Sequence, residues 1–341
     1  MEPELRPAAR ARRTIEHRSC WMTWDLFRSC LSLLVVTATL SACGTPLGET
    51  SDFASDVSAA GLHVEMSTDD TDTGVPIRMD TLAERIDAAS ELAAQRGAEI
   101  TVAVLDRATG ARTVGGVNEP LETASVVKLF IADDLLFREG IGEIALTDDD
   151  YDLIRAMLTE SDDSAASLLW DVFDGPDIVE RVARRHGLEG TVAPVDFWWN
   201  TVTTASDILT WYDDLLSSRA GLDEPATARI VGYLLDFEST GADGYDQEFG
   251  LPDGLSYAVD LGSKAGWMCC LDAHWVHLST GFFGNYHRYV VAVLSRETVT
   301  YEDPEYDGWS LPDTSIYDAT EDESAQHARD TVTMVVEEVL G

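Results

Sequence analysis

"ETASVVKLF", residues 122–130, places a serine three residues ahead of a lysine where an apolar, helix-forming run begins. The chain holds only two lysines, Lys128 and Lys264, so nearly all of its 23 basic residues are arginine. Arginine keeps its charge in proteins, whereas a buried lysine can give up its proton and act as a base. A serine hydroxyl is a poor nucleophile until such a base takes its proton. Residues three apart on a helix share a face, so Ser125 and Lys128 can meet. If Ser125 opens the helix, its backbone N–H is also free to face developing negative charge. Ser-x-x-Lys is a common pattern, however, and an ordinary helix start explains it as well.

Two further stretches bear on it. In "MLTESDDSAASLLW" (157–170), Ser161, Asp162 and Asp163 stand between two helical runs and cap the second, which a plain turn would also do. In "LGSKAGWM" (261–268), the other lysine sits on a strand, and Gly266 permits close approach of another backbone.

Periodicity organises the rest. "MDTLAERIDAASELAAQRG" sets Leu82, Ile86, Ala89 and Leu92 at helical spacing and stops at Gly97. "AEITVAVLD" alternates as a strand, and "ARTVGGVN" returns after a turn as a second. From 125 to about 240 the pattern is helical, in segments near 125–138, 150–173, 176–187, 204–217 and 225–237. Strands resume in "SYAVDLGSKAGWM", "HWVHLSTGFFG" and "HRYVVAVL". A loop over 297–322 follows, and "ESAQHARDTVTMVVEEVL" closes the chain as a helix. The order predicts an α+β fold: an antiparallel sheet flanked by terminal helices, with an all-helical part inserted between strands. No internal repeat is present.

The three stretches, in this order, resemble the Ser-x-x-Lys, Ser-Asp-Asn and Lys-Thr-Gly motifs of class A β-lactamases and penicillin-recognising serine hydrolases. The resemblance covers residues 77–341 and implies a β-lactamase-like fold. It implies Ser125 as nucleophile, Lys128 as its base and Ser161 as proton relay. It also implies a substrate-binding wall of Asp163, Lys264, Ala265, Gly266 and Trp267. Lys264 would attract a substrate carboxylate, and the N–H groups of Ser125 and Trp267 would form an oxyanion hole. The substrates implied are a β-lactam or a peptidoglycan stem peptide ending in D-alanine, with no cofactor and no metal.

Four departures set this chain apart. Asp163 replaces the motif's Asn, and a carboxylate beside Lys128 favours its charged form. Ala265 replaces the Thr whose hydroxyl would help hold a carboxylate. Ser125 and Ser161 stand closer in sequence than is usual in the family. The water-activating Glu of class A enzymes has no clear counterpart in "EGTVAPVDFWWNTVTTASDI", where Asp196 is the nearest substitute and Glu189 falls too early. An acyl-enzyme would therefore be long-lived. The expectation is a β-lactamase-like serine hydrolase with slow deacylation. Two alternatives stand beside it: a non-catalytic envelope lipoprotein binding a peptidoglycan fragment or a protein, and a D-alanyl-D-alanine carboxypeptidase-like acyltransferase. Trp198, Trp199 and Trp267 either line the cleft or pack the core.

Before residue 77 the chain reads as export and tether. "FRSCLSLLVVTATLSACG" has an arginine, an apolar run too short to span a bilayer, and small residues ahead of Cys43. Leu40 to Cys43 resembles the lipobox of bacterial lipoproteins. Residues 1–42 are thus expected to be a signal peptide, with Met22 a candidate true start. Residues 43–76 would be a lipidated cysteine and a flexible tether, holding a monomer to the outer face of the cell membrane. Against 23 basic residues stand 62 acidic ones, a net charge of −39, which repels nucleic acid. Of five cysteines, only Cys269 and Cys270 would remain in the domain, either as a vicinal disulfide or as two thiols on opposite strand faces. His274 and His277 fall on opposite faces of a strand and read as ordinary residues, not ligands.

Overall fold

The computed structural model describes residues 77–300 and 323–341. The expected signal peptide, Cys43, the tether and most of the 297–322 loop lie outside the described residues. Helix α1 (Leu82–Gln95) leads into a hairpin of β1 (Ala98–Asp106) and β2 (Ala111–Gly116). A short β3 (Leu121–Glu122) and a 3-10 turn (Ala124–Val127) precede α2 (Lys128–Gly140). The helical part continues with α3 (Asp148–Thr159), α4 (Asp163–Val172) and α5 (Pro176–His186). A 3-10 turn (Trp198–Asn200) and β4 (Val202–Thr203) then lead to α6 (Ala205–Leu216) and α7 (Glu224–Leu235). After α8 (Leu251–Gly254) come β5 (Gly262–Leu271), β6 (His274–Phe283) and β7 (Tyr289–Thr298), and α9 (Glu323–Leu340) ends the chain.

The five long strands form one antiparallel sheet in the order β2-β1-β7-β6-β5. Side chains on a strand alternate between faces, so each strand feeds two cores. Val102 and Val104 of β1, with Val291 and Val293 of β7, pack with Leu82 and Ile86 of α1 and Val332 and Val336 of α9. Ala103, Leu105, Val290 and Ala292 point the other way, into the helical part with Phe130, Leu209 and Trp211. The inserted helical half thus has its own core, shared with the sheet's second face.

Three details differ from the expected pattern. The run 150–173 is two helices broken at Ser161, where the backbone turns left-handed (φ 56°) and Asp162 caps α4 by accepting from Ala165 N. The strand carrying Lys264 starts only at Gly262 and continues through Leu271. The two-residue strands β3 and β4, too short to show a period, pair Leu121 with Thr203 and Glu122 with Val202. Cys269 and Cys270 are joined as a vicinal disulfide, one of the two expected states.

Candidate active site

Ser125 lies in the 3-10 turn rather than at the first turn of an α-helix, and Lys128 is the first residue of α2. The turn is held at its start: Thr123 N donates to Thr201 O, just before β4, and Val126 N donates to Thr123 O. Ala124 adopts φ 43°, a left-handed conformation that non-glycine residues rarely take. Two such residues, Ala124 and Ser161, adjoin or belong to the motif triad, and backbone strain of this kind gathers at functional sites. Gly266 of β5 faces the same turn. A Cβ there would lie 2.8 Å from Thr123 O and 3.1 Å from Val126 N, so only glycine lets strand and turn close together.

The three motifs converge on Lys128. Its side chain is fully buried, with Nζ 2.8 Å from Ser125 Oγ, 2.6 Å from Ser161 O and 3.3 Å from Ser161 Oγ. Nζ also contacts Asp163 Oδ1 closely and lies 4.8 Å from the centre of the Trp198 ring. Lys264 Nζ donates to Ser161 Oγ at 2.8 Å and to Ala265 O at 2.9 Å. Ser161 therefore bridges the chain's two lysines. Ser125, Ser161, Lys264, Ala265 and Trp267 are all buried, whereas the Asp163 side chain is 48% exposed.

Burial lowers the pKa of Lys128, and this outweighs the opposing pull of Asp163. The expectation that Asp163 favours the charged lysine is right in direction, but desolvation decides the outcome. Lys264 is lowered well below the ordinary lysine value, by burial first and then by the charge of Lys128. A neutral amine has two N–H donors and one lone pair. At Lys128 the donors suit Ser161 O and Asp163, leaving the lone pair for the Ser125 hydroxyl proton. That is the arrangement a general base needs.

Lys264 is buried, and its Nζ donates to Ser161 Oγ and to Ala265 O on its own strand. The Trp267 ring does not line a cleft. It stacks on Tyr245 (4.7 Å between centroids, 10° between planes) in the core beneath α9, and only its Nε1 reaches out, to Asp243 Oδ2 at 3.3 Å. Trp198 is buried against Lys128, while Trp199 is half-buried and stacks on exposed Phe197. Asp196 accepts through Oδ1 from Phe197 N and Asn200 Nδ2 within its own loop.

Asp243 belongs to the site, and no sequence signal marks it. "TGADGYD" reads as a turn, and only long-range bonds bring it here. Glu238 N donates to Thr159 O and Ala242 N to Glu160 O, pinning this loop beside Ser161. Burial of its carboxyl, and after that the Asp163 charge, raise the pKa of Asp243. Behind it, Tyr245 Oη and His277 Nε2 lie 2.7 Å apart, and burial pushes the imidazole pKa down to about 3. His277 is thus a neutral core residue.

Residues 151–309 match the model of the β-lactamase enzyme family. Over 215 residues, 63% of this chain, the sequence is 46% identical to a protein of Mycobacterium tuberculosis named "Putative lipoprotein LppW", covering 68% of that protein. The Mycobacterium bovis protein of the same name matches equally.

The chain belongs to the LppW family.

Its fold is that of the β-lactamases. A Xanthomonas campestris β-lactamase superposes with a TM-score of 0.56 at 20% identity, over 77% of this chain and 97% of that one. A Sphaerobacter thermophilus β-lactamase gives 0.55 at 18%, over 75% and 95%. A variant of a reconstructed ancestral class A enzyme of Gram-negative bacteria gives 0.54 at 20%, over 76% and 96%. At these identities the likeness speaks for the fold. For this LppW-family protein the case for chemistry rests on its own residues.

Proposed function

We propose that the chain is an exported, lipid-anchored serine hydrolase of the cell envelope. It would open β-lactam or D-alanyl peptide amides through an acyl-serine on Ser125 and release the acyl group slowly. The observation that carries this reading is the buried Lys128 Nζ set 2.8 Å from Ser125 Oγ, its proton affinity lowered by burial. Lys128 takes the Ser125 proton as Oγ bonds to the amide carbon. The backbone N–H groups of Ser125 and Trp267 would face the resulting oxyanion. Collapse breaks the C–N bond, and the leaving amine receives the proton from Lys128 through Ser161. What remains is an acyl-serine and a free amine. Slow release follows from a loop that offers no counterpart of the water-activating glutamate, the nearest substitute being the shorter, exposed Asp196.

The relatives' name supports export and lipidation, with Cys43 the residue to carry the lipid and the outer face of the cell membrane the location. The protein would act as a monomer. Intact-mass spectrometry tests the chemistry, using a penicillin and separately an uncharged activated ester, with Ser125→Ala as control. A lasting adduct on wild type alone is the expected result. Turnover without an adduct would mean rapid deacylation and would overturn the slow-release part of the reading. No labelling by either reagent would sink the catalytic reading. It would favour a binding lipoprotein, a reading to which the Asp163 contact on Lys128 already lends weight. Transfer of the acyl group to an added amine rather than to water would favour the carboxypeptidase-like acyltransferase.

A further inference from the structure

Lys128 must be neutral to take the Ser125 proton, and it is an ammonium once it has done so. Burial favours the first state and penalises the second. The barrier therefore falls only if the site meets the new charge as it forms. Around Nζ, Ser125 Oγ and the Ser161 hydroxyl and carbonyl are neutral. Asp163 touches it from α4, Asp162 and Asp243 act on it from the Ser161 turn and the neighbouring loop, and Lys264 of β5 opposes them. Over Nζ lies the face of the Trp198 indole, 4.8 Å away at the ring centre. Asp163 is half exposed, whereas Trp198 is buried. A cation on an aromatic face is held most strongly where water is excluded, and indole is the best of the rings at holding it.

The ring is fixed in orientation as well as buried. Its Nε1 donates to Ser167 Oγ of α4 at 3.1 Å, and Trp199 packs edge-on at 4.9 Å and 90°. The Trp198 carbonyl accepts from Thr201 N at 3.1 Å and Thr201 Oγ1 at 2.8 Å, and Thr201 O accepts from Thr123 N. The turn that presents the indole is thus hydrogen-bonded to the turn that presents the nucleophile. Resting on the acyl-serine reading, we propose that Trp198 is a positioning residue whose π face stabilises the ammonium of Lys128 as it takes the Ser125 proton. The covalent step is unchanged: the proton passes from Ser125 Oγ to Lys128 Nζ, and the leaving amine receives it through Ser161.

The chain's two lysines make a direct test possible. With lysine alone isotopically labelled at Cε, the full chain gives two NMR signals to titrate, and Lys128→Arg shows which is which. Replacing Trp198 by a ring-tetrafluorinated tryptophan drains the π face with little change of size. The Lys128 midpoint should then fall by about one pH unit. Labelling of Ser125 by an uncharged activated ester, timed by intact mass, should follow. Its acidic limb moves down with the midpoint while its high-pH plateau drops by about three- to tenfold, so the two profiles cross. A difluorinated ring should fall between. Trp198→Phe, with a weaker face, should shift both features the same way and replaces the fluorinated chain if that does not fold. A packing role would lower the rate at every pH and leave the midpoint in place. That result, or a midpoint that rises, would overturn the proposal and leave the acyl-serine chemistry standing. A falling midpoint with an unchanged plateau would also overturn it, because the contact would then have no part in the rate. No labelling of the wild type would remove the acyl-serine reading, and the role of Trp198 with it, whatever the midpoint does.

Discussion

At the scale of single residues, the site turns on which groups hold a proton. Lys128 is pulled down by burial and up by Asp163. Removing the carboxylate leaves burial unopposed, so Asp163→Asn should lower the Lys128 pKa further. The base form is then populated at lower pH, and the acidic limb of acylation moves down. With an uncharged ester at neutral pH the rate should rise by several-fold to about tenfold. A slower variant, with its acidic limb unmoved, would mean that Asp163 chiefly positions the amine. Lys128→Arg separates charge from basicity. Arginine keeps the cation but does not deprotonate, so labelling of Ser125 should fall by about 10²–10⁴-fold. The scarcity of lysine made this dyad legible in the sequence, because a chain that otherwise chooses arginine places both of its lysines, Lys128 and Lys264, against Ser161. Asp243 was illegible for the opposite reason: one aspartate among 62 acidic residues, in a loop whose place is set by backbone bonds to Thr159 and Glu160.

At the scale of elements, β5 and the 3-10 turn of Ser125 are one mechanical unit. Their contact depends on Gly266, where an added Cβ would meet backbone atoms of Thr123 and Val126 that have no side-chain freedom to yield. Gly266→Ala should therefore push the turn off the strand. The cost should be about 1–3 kcal/mol of stability, with Ser125 labelling reduced more than the melting temperature alone explains. A variant that melts lower but labels at the wild-type rate would show that the turn is positioned from the β3–β4 side instead. The strands and helices were legible because their periods are long. Alternation over nine or ten residues marks β1, β6 and β7, and three-and-four spacing marks α1 and α9. The turn at Ser161 and the two-residue pair β3–β4 were not, since neither is long enough to carry a period. Tertiary contacts fix them, and they are the pieces that place Ser125 and Ser161. The sequence alone left the Trp267 ring open between cleft and core. Its neighbours Gly266 and Lys264 face the helical part, and alternation sends the ring to the other core, where Tyr245 waits.

At the scale of the whole molecule, two buried layers sit under an intensely anionic surface. The helical layer contains an ion network in which Asp133 accepts from His186 Nε2 (2.8 Å), Arg185 Nη1 (3.1 Å) and Trp211 Nε1 (2.9 Å). Burial alone would raise the Asp133 pKa, but His186 and Arg185 prevail and hold it below the ordinary carboxylate value. A depressed folded-state pKa means this stabilisation is complete above the unfolded value, about 3.9. It is lost as pH falls through the folded value. Asp243 and Glu297, both raised mainly by burial, run the other way: their contribution is present at low pH and lost as pH rises through their folded values. Over both lies the net charge of −39, whose self-repulsion strains the compact state wherever it is unscreened. The Debye length shrinks from about 30 Å at 10 mM to about 10 Å at 0.1 M and about 3 Å at 1 M salt. Exposed like charges are relieved over that range while the buried Asp133 network is scarcely screened. At pH 7 the melting temperature should therefore climb by at least about 5 °C between 10 mM and 1 M sodium chloride, more than 1 kcal/mol for a domain of this size. Most of the gain should come below about 0.2 M, where screening changes most. Asp133→Asn should lower the whole curve by the cost of a broken buried pair, about 3–5 kcal/mol, without flattening its slope. A melting temperature that stays level or falls with salt would show that the surface acids are already neutralised by neighbouring arginines. The net charge would then say little about stability.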